Sequence, residues 1–332
     1  MGPLLSVAPM MAWTDRHCRY LHRLCAARAT VFTEMITTGA LLHGPRERLL
    51  ASHPDEHPVA VQLGGSDPGE IAQAARLAEQ HGYDEINLNI GCPSERVRQG
   101  RFGACLMREP KLVAELVSAA GNAVQVPVTV KCRLGVDEAD SQPLLEAFVE
   151  EVAAAGCRRF YIHARKALLS GISPAQNRQI PPLQYFRVHE LKASFPALTI
   201  VINGGIDSID TALSQLQFVD GVMIGRQAYH QPGFLNSLHA ALFESEQLDS
   251  WQLLDRYLPY IESEVALGTP LKDMTRHCLG LFAGLPGARR YRQLLSDTRA
   301  LQSNDPDLVR TAAAAVGPRS HAAAAELAAT GT

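Results

Sequence analysis

Short apolar runs alternate with longer amphipathic stretches along most of the chain. The runs at 4–10, 31–35, 58–63, Glu85–Ile90, 127–132, 159–164, 198–203 and 221–225 are aliphatic or β-branched and are bounded by turn-forming residues. That pattern is expected of short strands buried on both faces. Between them the spacing predicts helices over 15–27, which Thr14 could cap, and over 67–81, stopped by Gly82. Further helices are predicted around 111–124 and 143–155, with a polar, irregular stretch through Gly44, Arg46 and His53.

Eight strands separated by helices imply a parallel sheet, and the unit length suits a (β/α)8 TIM barrel. A doubly wound open sheet is the competing arrangement. The polar residues decide between them, because Gln62, Asn89, Lys131, His163, Asn203 and Arg226 each fall at or just past a strand's C-terminal end. A barrel gathers those ends at one mouth, whereas an open sheet scatters them. After residue 233 the strand pattern stops, and helices are expected at 251–267, 274–282 and 288–295. The expected organisation is a barrel over 1–233, a smaller helical domain over 234–315, and a loosely ordered Ala-rich tail over 316–332.

The formal net charge of −3 leaves any nucleic-acid surface to a local patch. Seven cysteines lie far apart, with no C-x-x-C pair and no zinc-ligand spacing, which argues against a disulfide framework and a structural metal. No apolar run approaches the roughly 20 residues that span a bilayer, so no membrane partner and a cytoplasmic location are expected, with the protein a monomer.

The most informative stretch is EINLNIGCPSERVRQGRFGACLM, residues 85–107. Asn87 and Asn89 alternate with Ile86, Leu88 and Ile90, so both amides face one side of the strand. Gly91 and Pro93 then fix the backbone around Cys92. Cys25, Cys132, Cys157 and Cys278 fit small buried hydrophobes, but Cys92 sits on a polar loop. A thiol with an ordinary pKa near ~8.5 can donate a proton at neutral pH, while neighbouring arginines would instead favour a nucleophilic thiolate. Lys131 suits either an imine-forming amine or a fixed charge beside an electron-rich ring. Asn203-Gly204-Gly205 and Gly225-Arg226 end the last two strands, where barrels commonly bind phosphate.

Basic residues gather at Arg16/Arg19/Arg23, Arg96/Arg98/Arg101, Arg165/Lys166/Arg178 and Arg289/Arg290/Arg292. The second and third follow strand ends and are expected to rim the mouth. With the fourth brought alongside, they would form a groove that tracks phosphates.

The segments APMMAWTDRHCR, VQLGGSDP, INLNIGCPSERVRQGRFGACLM, PVTVKCRLG, IHARKA, INGGI and GVMIGRQAY resemble the tRNA-dihydrouridine synthases. The stretches HARKALLSGISPAQNRQIPPLQY and TRHCLGLFAGLPGARRYR are similar to the 20/20a branch of that family. The resemblance runs to about Leu295. It implies an FMN-dependent barrel, with a helical RNA-binding domain, that uses NADPH to reduce uridine in the D-loop of tRNA. By position, Pro9, Met10, Met11, Gln62, Lys131, His163, Asn203, Gly204, Gly205, Gly225 and Arg226 would hold FMN, and Cys92 would be the proton donor. Asn89, Arg165, Asn177, Arg178, Arg289, Arg290 and Arg292 would lie near the tRNA. The chain departs from the family pattern at Ala12, where an acidic residue is usual. Rival readings are a flavin barrel acting on a free pyrimidine, an imine-forming phosphosugar barrel, and an RNA binder without chemistry.

Overall fold

A computed structural model describes residues 2–317, except for the side chains of Arg96 and Arg98. Eight parallel strands follow one another around a curled sheet. They are β1 (Leu4–Val7), β2 (Val31–Thr37), β3 (Val59–Gly64), β4 (Glu85–Ile90), β5 (Val128–Arg133), β6 (Arg159–His163), β7 (Thr199–Asn203) and β8 (Gly221–Ile224). β1 pairs with β8, and the seam to β2 is drawn together by Val7 N–H to Thr30 O and Thr30 N–H to Leu5 O, both 2.9 Å. The result is the expected (β/α)8 TIM-barrel arrangement, not an open sheet.

Strand burial explains why the sequence signal is strong. Every residue of β3 and β8 is buried, so those segments read as apolar runs, interrupted in β3 only by Gln62. The interior is plugged at one level by Phe32, Ala60, Tyr161, Val201 and Met223, with Phe32 packed edge-on to Tyr161 at 5.1 Å. Above this plug the inward side chains are polar. Packing therefore closes one end of the barrel and leaves the other for chemistry.

Helices begin where short polar side chains meet free N–H groups. Asp67, Ser141 and Ser208 cap the helices Pro68–Gln80, Gln142–Ala154 and Ile209–Leu216. The first helix, Arg16–Cys25, is capped by Asp15 and not by Thr14. The Thr14 hydroxyl is instead taken by the Met10 N–H at 2.9 Å, closing the turn after β1. The stretch expected to be irregular contains helices Thr38–His43 and Arg46–Leu49.

Helix Pro232–Phe243 runs across position 233, and Asn236 Nδ2 donates to Cys25 O at 2.9 Å. Helices Ser250–Ala266, Leu271–Cys278, Ala288–Leu294, Thr298–Leu301 and Asp307–Ala314 follow. The first of these docks on helix Arg16–Cys25: Arg16 donates to Glu264 at 2.8 Å, the His17 ring meets the Tyr260 hydroxyl at 2.7 Å, and Tyr20 stacks on Tyr260 at 3.9 Å. Of the tail expected to be loosely ordered, residues 318–332 lie outside the described residues.

Candidate active site

The C-terminal strand ends surround a cavity of 1280 Å³. Cys92, Asn89 and Arg178 line it, as do Pro9, Met10, Met11, Gln62 and Lys131. So do His163, Asn203, Gly204, Gly205, Gly225 and Arg226. Sequence positions more than 200 residues apart thus converge on one mouth, which is what a closed ring of parallel strands accomplishes.

β4 places the thiol. Its last inward residue, Asn89, accepts the N–H groups of Gly91 and Cys92 at 3.2 and 3.0 Å, turning the chain sharply. The Cys92 sulfur lies 3.5 Å from the Ser94 hydroxyl. Arg133, not among the residues expected from sequence, donates from Nε to Gly91 O at 2.9 Å and from one terminal nitrogen to Lys166 O and Asn177 O at 3.1 and 3.0 Å. Its signal was alternation: Arg133 is two residues after Lys131 and so faces the same side of β5.

Lys131 Nζ donates to Asn203 Oδ1 at 3.1 Å, and Asn203 Nδ2 donates to Met223 O at 2.8 Å, tying β5, β7 and β8 together. Burial, reinforced by the Arg133 charge, pushes the Lys131 ammonium down to about 8. Burial also drives His163 well below its ordinary range, and Arg133, Lys131, Arg165 and Arg178 all push the same way. His163 is therefore a neutral imidazole in a cationic surround. Gly204 has φ +115, and a Cβ there would stand 2.6 Å from the His163 ring, so only glycine fits. At Gly225 the nearest atom to an added Cβ is the Ala8 methyl at 4.0 Å, leaving the backbone open to the cavity.

Other expected residues lie elsewhere. Asn177 is fully buried and its amide bonds both backbone groups of Leu168, at 2.8 Å each, so it braces a loop. Arg165 does not line the cavity and donates to Gln179 O and Pro181 O. Arg289, Arg290 and Arg292 are exposed, but the C-terminal wall of the cavity is formed by Asp273 and Arg276.

In the first basic cluster Arg16 lines the cavity and pairs with Glu264, while the other two arginines are spent inside the protein. Arg19 is 3% exposed and donates to Glu56 at 2.6 Å, and Arg23 binds Glu56 O, Pro58 O and Ala26 O. In the second cluster Arg101 is exposed, and the side chains of Arg96 and Arg98 lie outside the described residues. At Ala12, Arg276 donates to the backbone carbonyl and to Asp15, both at 2.8 Å, and the Ala12 N–H donates to Glu34.

Among the described residues, no group of three or more His, Cys, Asp or Glu side chains is placed to hold a metal. No helix among them is long and apolar enough to cross a membrane.

A parallel barrel with a thiol, a lysine and a neutral histidine at its C-terminal mouth defines a class of barrel enzyme, and comparison narrows it. The family model "Dihydrouridine synthase (Dus)" matches residues 6–316, and the chain belongs to that family. A relative from Xanthomonas axonopodis pv. citri is 55% identical over 293 residues, covering 88% of each chain. One from Yersinia pestis is 52% identical over 316 residues, covering 94% of this chain and 91% of the relative. One from Vibrio cholerae is 54% identical over 296 residues, covering 88% and 90%. Each of these relatives is named tRNA-dihydrouridine(20/20a) synthase.

Proposed function

We propose that this protein reduces uridine to 5,6-dihydrouridine in the D-loop of tRNA, at positions 20 and 20a, with FMN bound and NADPH as reductant. The observation that carries the reading is Cys92, held at the cavity wall by Asn89 and Arg133 beside a cluster of cations.

The residues present fit FMN. Arg226 and the open backbone at Gly225 suit its phosphate, and Lys131, with Asn203, suits the electron-rich end of its ring. Gln62 retains an amide hydrogen beyond its bond to Asn87, available to a polar ring edge. When bound, FMN supplies the hydride that adds to C6 of uracil.

The chain's own residues do the rest. A base inside folded RNA must be turned out to reach the mouth. Cys92 gives its proton to C5 as negative charge develops on the C4 oxygen, leaving a thiolate. Arg133, bonded to the carbonyl of the preceding Gly91, and Arg178, on the same cavity wall, supply positive charge on the side where the thiolate forms. Exposed Arg289, Arg290 and Arg292 suit contact with the phosphate backbone of the same tRNA.

Incubating the purified protein with unmodified tRNA and NADPH tests this, with the product digested and weighed nucleoside by nucleoside. The expected result is a uridine in the D-loop that has gained two hydrogens. Reduction of free uracil but not of tRNA would transfer the reading to a free-base enzyme.

A further inference from the structure

A single file of side-chain hydrogen bonds descends through the barrel interior from the catalytic loop. Below Asn89 Oδ1, which accepts from Gly91 and Cys92, Asn89 Nδ2 donates to Gln62 Oε1 at 2.7 Å. Gln62 Nε2 donates to Asn87 Oδ1 at 2.8 Å, and Asn87 Nδ2 donates to Thr129 Oγ1 at 2.9 Å. The Thr129 hydroxyl donates to Glu85 Oε1 at 2.7 Å. Arg159 and Tyr161 hold the other carboxylate oxygen at 2.7 and 3.2 Å. Gln62 and Asn89 line the cavity, whereas Asn87, Thr129 and Glu85 are buried beneath it.

The direction of this file is fixed from both ends. Backbone N–H groups only donate, so the atom of Asn89 facing Gly91 and Cys92 is its oxygen. A carboxylate paired with arginine only accepts, so Thr129 donates to Glu85 and its oxygen must receive from Asn87. One orientation of the three amides satisfies both ends; a flip of Gln62 or Asn87 breaks two bonds, and a flip of Asn89 breaks three. Both lone pairs of Asn89 Oδ1 are spent on the loop, and one amide hydrogen is spent on Gln62. What Asn89 keeps for a ligand is one N–H.

We propose that this relay is the positioning device of the site, with Glu85 and Thr129 holding Gln62 and Asn89 in a single orientation from below. Asn89 then offers a donor and no acceptor, and it selects a carbonyl oxygen on the base opposite it. The inference rests on the uridine reading of the site. With the C4 edge of the base turned toward Asn89, the donor meets a carbonyl in uracil and an amine in cytosine, so this orientation accepts uracil and refuses cytosine. Glu85 and Thr129 act through the amides and touch no ligand.

The test follows hydrogen exchange of the side-chain amides in full-length protein carrying 15N-labelled asparagine and glutamine, beside steady-state kinetics on tRNA. In the unsubstituted protein, the Gln62 and Asn87 amides are expected to exchange at least about 100-fold more slowly than free amides. Thr129→Val should lose about tenfold of that protection and about tenfold in kcat, with KM for tRNA within about twofold. Thr129→Ser, which keeps the hydroxyl, should restore both. Unprotected amides in the unsubstituted protein would overturn the proposal without any variant being needed. Equal defects in Thr129→Ser and Thr129→Val would overturn it by assigning the effect to packing. Protected amides in a protein that reduces no tRNA would support the relay and overturn the uridine reading.

Discussion

Arg133 donates from Nε to the carbonyl of Gly91 at 2.9 Å, one residue before the thiol of Cys92. The same guanidinium holds two further carbonyls, so its removal leaves three acceptors short of a partner. Arg133→Met should cost about 2–3 kcal/mol of stability and lower kcat by roughly 10–100-fold, because the thiol loses its fixed place. Arg133→Lys should not rescue the loss, since an ammonium cannot reproduce the planar fork. Urea unfolding and turnover on tRNA check both parts.

Asp15 joins the barrel to the C-terminal helices through His277 at 2.9 Å and Arg276 at 2.8 Å. Burial alone would raise its carboxyl. The His277 hydrogen bond and charge, the Cys18 N–H and Arg276 outweigh burial and hold it at about 2. A carboxyl held below its unfolded value of about 3.9 contributes stability above that pH and loses it as the pH falls toward about 2. Asp15→Asn keeps a helix-capping oxygen but no charge, and should cost about 1–2 kcal/mol at neutral pH. The gap between the urea midpoints of the two proteins should narrow between about pH 4 and pH 2. A gap independent of pH would show that the pair contributes through shape and not charge.

Lys131 is built for a ligand at the expense of the empty protein. Its folded value of about 8 lies below the unfolded value of about 10.4, so the unfolded chain binds more protons between those limits. The cost is therefore complete below about pH 8 and fades as the pH rises toward 10.4. Lys131→Met should stabilise the FMN-free protein by about 1–2 kcal/mol at pH 7 while weakening FMN binding by roughly tenfold. Thermal melts and flavin fluorescence titrations measure the two effects. A destabilised variant with unchanged flavin affinity would remove Lys131 from the cofactor site.

Arg290 and Arg292 lie on the exposed face of helix Ala288–Leu294, with the intervening Tyr291 fully buried. Replacing both arginines with alanine should weaken tRNA binding and reduce the salt slope by about one to two. Oxidation of NADPH by the flavin should continue. A filter-binding series across salt concentrations gives the slope.

The barrel was legible because its strands are short apolar runs and their polar residues fall at one end. Cys92, Lys131 and His163 could be picked out as strand-end exceptions to that pattern. The buried arginines could not. Arg19 reads as a solvated charge until the fold brings Glu56 beside it, and that partner is 37 residues away in a stretch with no periodic signal. The bonds of the Asn177 amide to Leu168 are hidden for a similar reason, being set by the path of an irregular loop. Arg133 was visible as a residue but hidden as a site residue, because its neighbour Lys131 gave the stronger signal. Charge in the sequence marks where desolvation must be offset, and only packing shows whether the partner is the protein or a ligand.

Whether the Cys92 thiol protonates the uracil ring is decided by Cys92→Ala. The variant should purify yellow, bind tRNA as the unsubstituted protein does, and form dihydrouridine from NADPH at least about 100-fold more slowly. Dihydrouridine formation at an unchanged rate, by a variant that still carries flavin, would contradict the account.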